Sequence, residues 1–168
     1  TGDYSTGSGI TVAPGTDNIT LVNNTIQDIL LPGGGNASPL AYGILCYGDT
    51  DPVNPPSNIL IDNNSISNVL GSAISLGSDT ENVLINGNSF QNIIPVDLVG
   101  DGEPTSYASI GIQAELSNGL GITNNFYFDL VLSNNLVNCT STYIQGNTYN
   151  NSNLMLSTTY PHAITMSD

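Results

Sequence analysis

The stretch Asn58-Ile-Leu-Ile-Asp-Asn-Asn-Ser-Ile-Ser-Asn-Val69 returns as Asn82-Val-Leu-Ile-Asn-Gly-Asn-Ser-Phe-Gln-Asn-Ile93. An earlier copy runs Asn18-Ile-Thr-Leu-Val-Asn-Asn-Thr-Ile-Gln-Asp-Ile29. Two looser copies follow, Gly119-Leu-Gly-Ile-Thr-Asn-Asn-Phe-Tyr-Phe-Asp-Leu130 and Ser141-Thr-Tyr-Ile-Gln-Gly-Asn-Thr-Tyr-Asn-Asn-Ser152. Self-similarity of this kind marks a repeat architecture. One column of the alignment holds only asparagine: Asn24, Asn64, Asn88, Asn125 and Asn147. The column before it holds Asn23, Asn63, Gly87, Asn124 and Gly146, the two residue types that tolerate the positive φ of a tight turn. An all-Asn column predicts a ladder, each amide bonding to the copies above and below it. A second polar column reads Asp28, Asn68, Asn92, Asp129, Asn151, and between the two lies an apolar one: Ile26, Ile66, Phe90, Tyr127, Tyr149.

Working outward, an apolar-x-apolar triplet precedes each of the first four copies: Ile10-Thr-Val12, Ile44-Leu-Cys46, Ile74-Ser-Leu76 and Ile112-Gln-Ala114. Alternation with period two predicts strands whose apolar residues face inward. The Asn column advances by 24 residues from Asn64 to Asn88 and by 22 from Asn125 to Asn147, while steps of 40 and 37 elsewhere imply inserted loops. The candidate inserts are Leu31–Pro56 and Pro95–Ser109. With no crossover helix available, each strand can pair only with its counterpart in the next copy. The predicted fold class is therefore all-β: a right-handed parallel β-helix, or solenoid, of about five coils with Asn ladders and two inserted loops. Residues 1–168 form a single domain, with the repeat over about 9–156. At about 4.8 Å per strand the stack is roughly 24 Å tall.

Over about Gly9 to Ser152 this pattern resembles the right-handed parallel β-helix repeats of the pectate-lyase-like superfamily, and the Asn-Asn and Gly-Asn turn columns carry the resemblance. The family implies the architecture rather than one activity, since the fold hosts lyases, hydrolases, spikes, adhesins and surface-layer proteins. The lyases of that family use an Arg or Lys base beside calcium, and this chain has neither residue. The polygalacturonase-like hydrolases use Gly-His-Gly and Arg-x-Lys elements, which are also missing. The single histidine, His162, stands in Tyr160-Pro-His162 with no second His or Cys nearby, and the pair in Asp101-Gly-Glu103 reads as a solvated loop. No catalytic residue is predicted, and no enzyme.

The charge balance is the most unusual feature: 14 Asp and Glu against no Lys or Arg. Phosphate binding needs cations, so nucleic acid is excluded as a partner, as is an anionic membrane surface. No stretch approaches 18 apolar residues, so membrane insertion is not expected. Repulsion must be relieved by solvent, salt, bound cations or low pH. Acidic residues recur after the first strand of successive copies, in Gly48-Asp49-Thr-Asp51 and Ser78-Asp79-Thr-Glu81, with Asp17 at the matching corner. Hard oxygen ligands of this type suit Ca²⁺, making Asp49, Asp51, Asp79 and Glu81 the candidate metal site.

Six Asn-x-Ser/Thr sequons begin at Asn18, Asn23, Asn36, Asn63, Asn138 and Asn150, in keeping with a secreted glycoprotein. The start at Thr1 reads as a mature product whose leader has been removed, and a chain without Lys or Arg gives trypsin-like proteases nothing to cut. Cys46 falls in the inward column with Val12, Leu76 and Ala114 and reads as core. Cys139 lies about three copies away, beyond the reach of a disulfide, and is expected to be free or to link subunits. No amphipathic helix caps either end of the predicted stack. The expectation is an extracellular, cell-surface structural subunit of a sheath, surface layer or fibre, with itself as partner. By looser analogy it resembles archaeal cell-envelope and sheath proteins. The alternative is a carbohydrate-binding or adhesin module of a cell-surface protein, with Tyr42, Tyr47, Tyr107, Phe126 and Phe128 offering stacking faces to glycans, and a polysaccharide-degrading enzyme comes third.

Overall fold

The computed structural model describes residues 6–30, 40–46, 54–77, 79–97, 107–152, 154–159 and 164–167. The protein is all-β, with no helix among the described residues, and all its described strands but one short antiparallel pair lie in parallel sheets. They fall into three ladders. The first contains β1 (Thr6–Val12), β4 (Leu40–Cys46), the second half of β6 (Ser65–Leu76), β11 (Ile110–Glu115), β14 (Leu132–Val137) and β17 (Leu154–Thr159). The second contains β2 (Asp17–Val22), β5 (Ser57–Asp62), β7 (Glu81–Asn86), β12 (Asn118–Thr123), β15 (Thr142–Gln145) and β18 (Ile164–Ser167). The third contains β3 (Thr25–Ile29), the first half of β6, β8 (Ser89–Ile94), β13 (Phe126–Phe128) and β16 (Thr148–Asn150). Each of the first five repeats thus contributes one strand to each ladder in turn, and every strand of the three ladders pairs in parallel with its counterpart one repeat away. β6 runs on from the third ladder into the first through Gly71, whose φ of 116° only glycine adopts freely.

The register places like on like. Ile10, Ile44, Ile74 and Ile112 stack in the first ladder, as do Val12, Cys46, Leu76 and Ala114. Ile59, Val83 and Leu120 stack in the second, and Ile26, Ile66, Phe90 and Tyr127 in the third. All of these but Ile10 are buried, and Ile10 packs against the same core. Each fully buried aliphatic side chain contributes about 1.5–3 kcal/mol. A stack of identical columns therefore holds the ladders face to face without a helix. Small residues make room for the rings: a Cβ on Gly111 would lie 2.6 Å from the Ser133 carbonyl oxygen and 2.7 Å from Tyr127 Cε1. Tyr127 fills that gap, its ring centroid 5.1 Å from that of Phe90 and 5.0 Å from that of Tyr149.

The structure adds to the sequence reading in three places. Each repeat has three strands, because the Asn-Asn turn splits the repeated unit between the second and third ladders. The segment Leu31–Pro56 is not one insert, since β4 divides it, and the segment Pro95–Ser109 carries an antiparallel pair, β9 (Val96–Asp97) with β10 (Tyr107–Ala108). A sixth repeat begins with β17 and β18, paired to β14 and β15. β14 has no apolar-x-apolar triplet because Asn134 takes the inward place of Ile112.

Candidate functional site

The all-Asn column is a continuous hydrogen-bonded spine with one direction. The backbone N–H and Nδ2 of Asn24 both donate to Asn64 Oδ1, each at 2.9 Å. Asn64 donates in the same way to Asn88 at 2.9 and 2.9 Å, Asn88 to Asn125 at 2.9 and 3.0 Å, and Asn125 to Asn147 at 2.8 and 3.1 Å. Each Nδ2 of the four later members also reaches a carbonyl at the end of the preceding repeat's second-ladder strand: Leu21, Ile61, Ile85 and Ile122. Asn64, Asn88 and Asn125 are buried, and this pattern engages the carbonyl and both amide hydrogens of each. The positions just before them, Asn23, Asn63, Gly87, Asn124 and Gly146, all have φ between 53° and 64°. An added Cβ on Gly87 would meet Asn63 Oδ1 at 2.6 Å, so glycine here accommodates the neighbouring amide.

Two further left-handed columns lie on the outside. Asn18, Asn58, Asn82, Gly119 and Ser141 open the second-ladder strands, and Asp28, Asn68, Asn92, Asp129 and Asn151 lie in or just after those of the third, all at positive φ. Here the carboxylates find their partners. Asp17 accepts from Asn58 Nδ2 at 2.7 Å and from the Ser57 hydroxyl at 3.0 Å. Asp62 accepts from Asn86 Nδ2 at 2.7 Å and Asp28 from Asn68 Nδ2 at 2.9 Å, while Asn151 donates to Asp129. Amides of the next repeat thus do the work that Lys and Arg do elsewhere. The Asn58 bond, followed by that of Ser57, holds the Asp17 carboxyl below the usual aspartate range.

The candidate calcium ligands are only half in view. Asp49 and Asp51 lie outside the described residues. Asp79 occupies a left-handed turn with φ 67°. Glu81 aligns with Ser57 on one side and Asn118 on the other, and Asp17 is next beyond Ser57. Hydroxyl and amide neighbours therefore separate these acidic side chains, and among the described residues no three His, Cys, Asp or Glu side chains converge. Of the sequons, Asn18, Asn23, Asn63 and Asn150 are exposed and Asn138 is half-buried, while Asn36 lies outside the described residues, as do Asp101, Glu103 and His162. Both cysteines are free and buried. Cys46 sits between Val12 and Leu76, where burial pushes its thiol pKa up to about 12. Cys139 points its Sγ at the Ala114 and Val137 carbonyls, and burial raises its pKa too.

Among the aromatic candidates, Tyr42 is half-buried and Phe126 exposed, while Tyr47 and the side chain of Tyr107 lie outside the described residues. Phe126 and Phe128 project from one face of β13 with ring centroids 6.4 Å apart and planes 14° apart. Sequence reasoning missed three features. Tyr143 lies over Gly121, where any Cβ would collide with its ring. A polar cluster sits in the interior, where Tyr127 Oη donates to Asn134 Oδ1 and Asn134 Nδ2 reaches Tyr149 Oη. The signal for that cluster was a lone Asn in an isoleucine column. The third feature is a recess of about 370 Å³ outside the third ladder, lined by Ser67, Asn68, Gln91, Asn92, Phe128 and Asp129. No family model, curated protein or solved structure matches this chain.

Proposed function

We propose that this chain winds as a right-handed parallel β-helix and is a non-catalytic structural subunit of an extracellular assembly, a sheath, surface layer or fibre. It self-associates through the strands at the ends of its stack. One observation carries the reading: β1, β2 and β3 each pair on one side only among the described residues. Three parallel edges at one end form a template for further strands. A second copy offers edges of the same spacing, and head-to-tail contact of identical subunits gives rings or open filaments. The column-on-column register supports the reading, because stacking a further repeat adds to columns that already exist. Exposed sequons at Asn18, Asn23, Asn63 and Asn150 suit a glycosylated outer surface, and a chain free of Lys and Arg suits exposure to trypsin-like proteases.

Electron microscopy of the purified 168-residue chain, with sedimentation over a wide concentration range, tests the proposal. Filaments, tubes or rings are expected, and a globular domain fused ahead of Thr1 is expected to shorten them. A chain that stays monomeric at every concentration would overturn it.

A further inference from the structure

We propose that the outer face of the third ladder is a binding site for neutral saccharides, built on Phe126, Phe128 and Asp129; it goes beyond the structural role and does not rest on it. In the two outward columns that pass through Phe126 and Phe128, every other member is Ser, Thr, Gln or Asn. The two phenylalanines interrupt a polar surface at a single strand. Their rings lie nearly parallel, and Phe126 is 40% exposed. Leaving Phe126 exposed and Phe128 half-buried forgoes part of the burial that aromatic residues ordinarily gain, and their positions give the inward core nothing, since Tyr127 between them already fills it.

The recess described above opens beside this pair, with Phe128 as its apolar wall. Its polar wall is where the outer hydrogen-bond column breaks. Asn68 donates to Asp28, and Asn92 donates to Asn68. The next member in register is Asp129, whose carboxylate cannot donate and itself accepts from Asn151. Asn92 Oδ1 therefore meets a carboxylate where its counterparts meet an amide, and among the described residues no donor reaches it. Two acceptors side by side next to an aromatic wall call for a ligand that donates hydrogen bonds and carries an apolar face. A pyranose ring does both: its C–H face lies on Phe128 and its hydroxyls donate to Asn92 Oδ1 and Asp129. A hydroxyl-to-carboxylate bond is of the stronger, charge-assisted kind. Ser67 and Gln91 supply donors for the ring and remaining hydroxyl oxygens. The three strands that form the recess span about 10 Å, room for a short oligosaccharide. With no Lys or Arg in the chain, uronate and sulfated sugars have no cation to meet and are repelled by Asp129, so the site selects neutral glycans.

The test is a glycan microarray carrying neutral oligosaccharides of glucose, mannose, galactose and N-acetylglucosamine alongside oligogalacturonates, followed by calorimetric titration of the strongest hit and, separately, of Ca²⁺. The expected result is binding of a neutral glycan and none of oligogalacturonate. Phe128→Ser and Asp129→Asn are each expected to weaken binding at least tenfold, and Tyr143→Ser, on the second ladder, to leave it unchanged. Asp129→Asn retains a residue tolerant of φ 54° and gives Asn92 the missing donor, so it keeps the fold while removing the acceptor. No neutral glycan bound, or binding indifferent to both substitutions, would overturn the proposal. Ca²⁺ binding lost in Asp129→Asn without any saccharide bound would overturn it in favour of a cation site.

Discussion

Tyr127 Oη donates to Asn134 Oδ1 over 2.8 Å in a region where both residues are fully buried. Asn134 stands in the column of Ile112, so an amide replaces an aliphatic side chain at the centre of the core. The tyrosine hydroxyls that come with it offset the cost of burying it. Burial, reinforced by the nearby Tyr149, keeps the Tyr127 phenol far above its ordinary pKa, so it remains a donor at any ordinary pH. Tyr127→Phe and Asn134→Leu are each expected to destabilise by about 1–3 kcal/mol through loss of this buried hydrogen bond. The double variant is expected to cost less than the sum, with a coupling of about 1 kcal/mol in urea melts. Strict additivity would show that the bond is incidental.

The directional Asn spine makes a graded expectation. Asn88→Leu removes the acceptor for both donors of Asn64 and a donor to Asn125 and to the Ile61 carbonyl. At about 1–3 kcal/mol per orphaned buried group, it is expected to rank with Asn64→Leu as severely destabilising. Asn24→Leu removes one side-chain bond to Asn64 and no acceptor used by a described residue, so its cost is expected to stay near 1 kcal/mol. Thermal melts of the three variants measure the gradient. Equal losses at all three positions would show that the column acts through something other than its hydrogen bonds.

How much of this was legible beforehand depends on the type of residue. The column of Asn24 and its counterparts could be read because an amide side chain both donates to and accepts from its own kind, so one residue type fills every copy. The column of Asp28 showed as polar, and its positive φ explains why Asn and Asp alone occupy it. The isoleucine columns followed from period two. β14 was illegible because its inward residue is Asn134, whose buried partner Tyr127 lies in the preceding repeat. β18 was illegible because Ile164-Thr-Met-Ser167 is too short to show a period. The recess depends on the register of three strands from three repeats, and on a break at Asp129 that becomes visible only once Asn92 is known to lie beside it.

Leu116 is the residue most at odds with its backbone. It holds φ 54°, where its companions are nearly all Asn, Asp or Gly, and leaves 41% of its surface exposed. Its N–H bonds the Val137 carbonyl at 2.8 Å, which holds the corner in place despite the strain. The matching corner of the next repeat uses Asn138, at φ 53°. The left-handed region costs a leucine about 1–2 kcal/mol, and little burial is lost on replacement. Leu116→Asn is therefore expected to stabilise by about 1 kcal/mol. A melt unchanged or lowered would mean that the leucine side chain contributes more than its exposure indicates.

The two ends of the pH scale engage different groups. Asp17 has its folded pKa depressed, chiefly by Asn58 and then by Ser57. Its contribution is complete above the unfolded aspartate value, about 3.9, and is lost as pH falls through the lower folded value. Cys46 is the reverse case. Its folded pKa is raised to about 12 by burial, so the neutral thiol supports the fold fully below the unfolded value of about 8.5 and progressively less as pH rises toward 12. Melting from pH 2 to 6 is expected to show the wild type's advantage over Asp17→Ala shrinking below about pH 4. Melting from pH 8 to 11 is expected to show a decline in the wild type that is shallower in Cys46→Ala, where Cys139 and the buried tyrosines still contribute, although that variant starts lower because of the cavity it leaves. A wild-type advantage over Asp17→Ala that is constant with pH, or equal alkaline slopes in the wild type and Cys46→Ala, would separate these groups from the pH response.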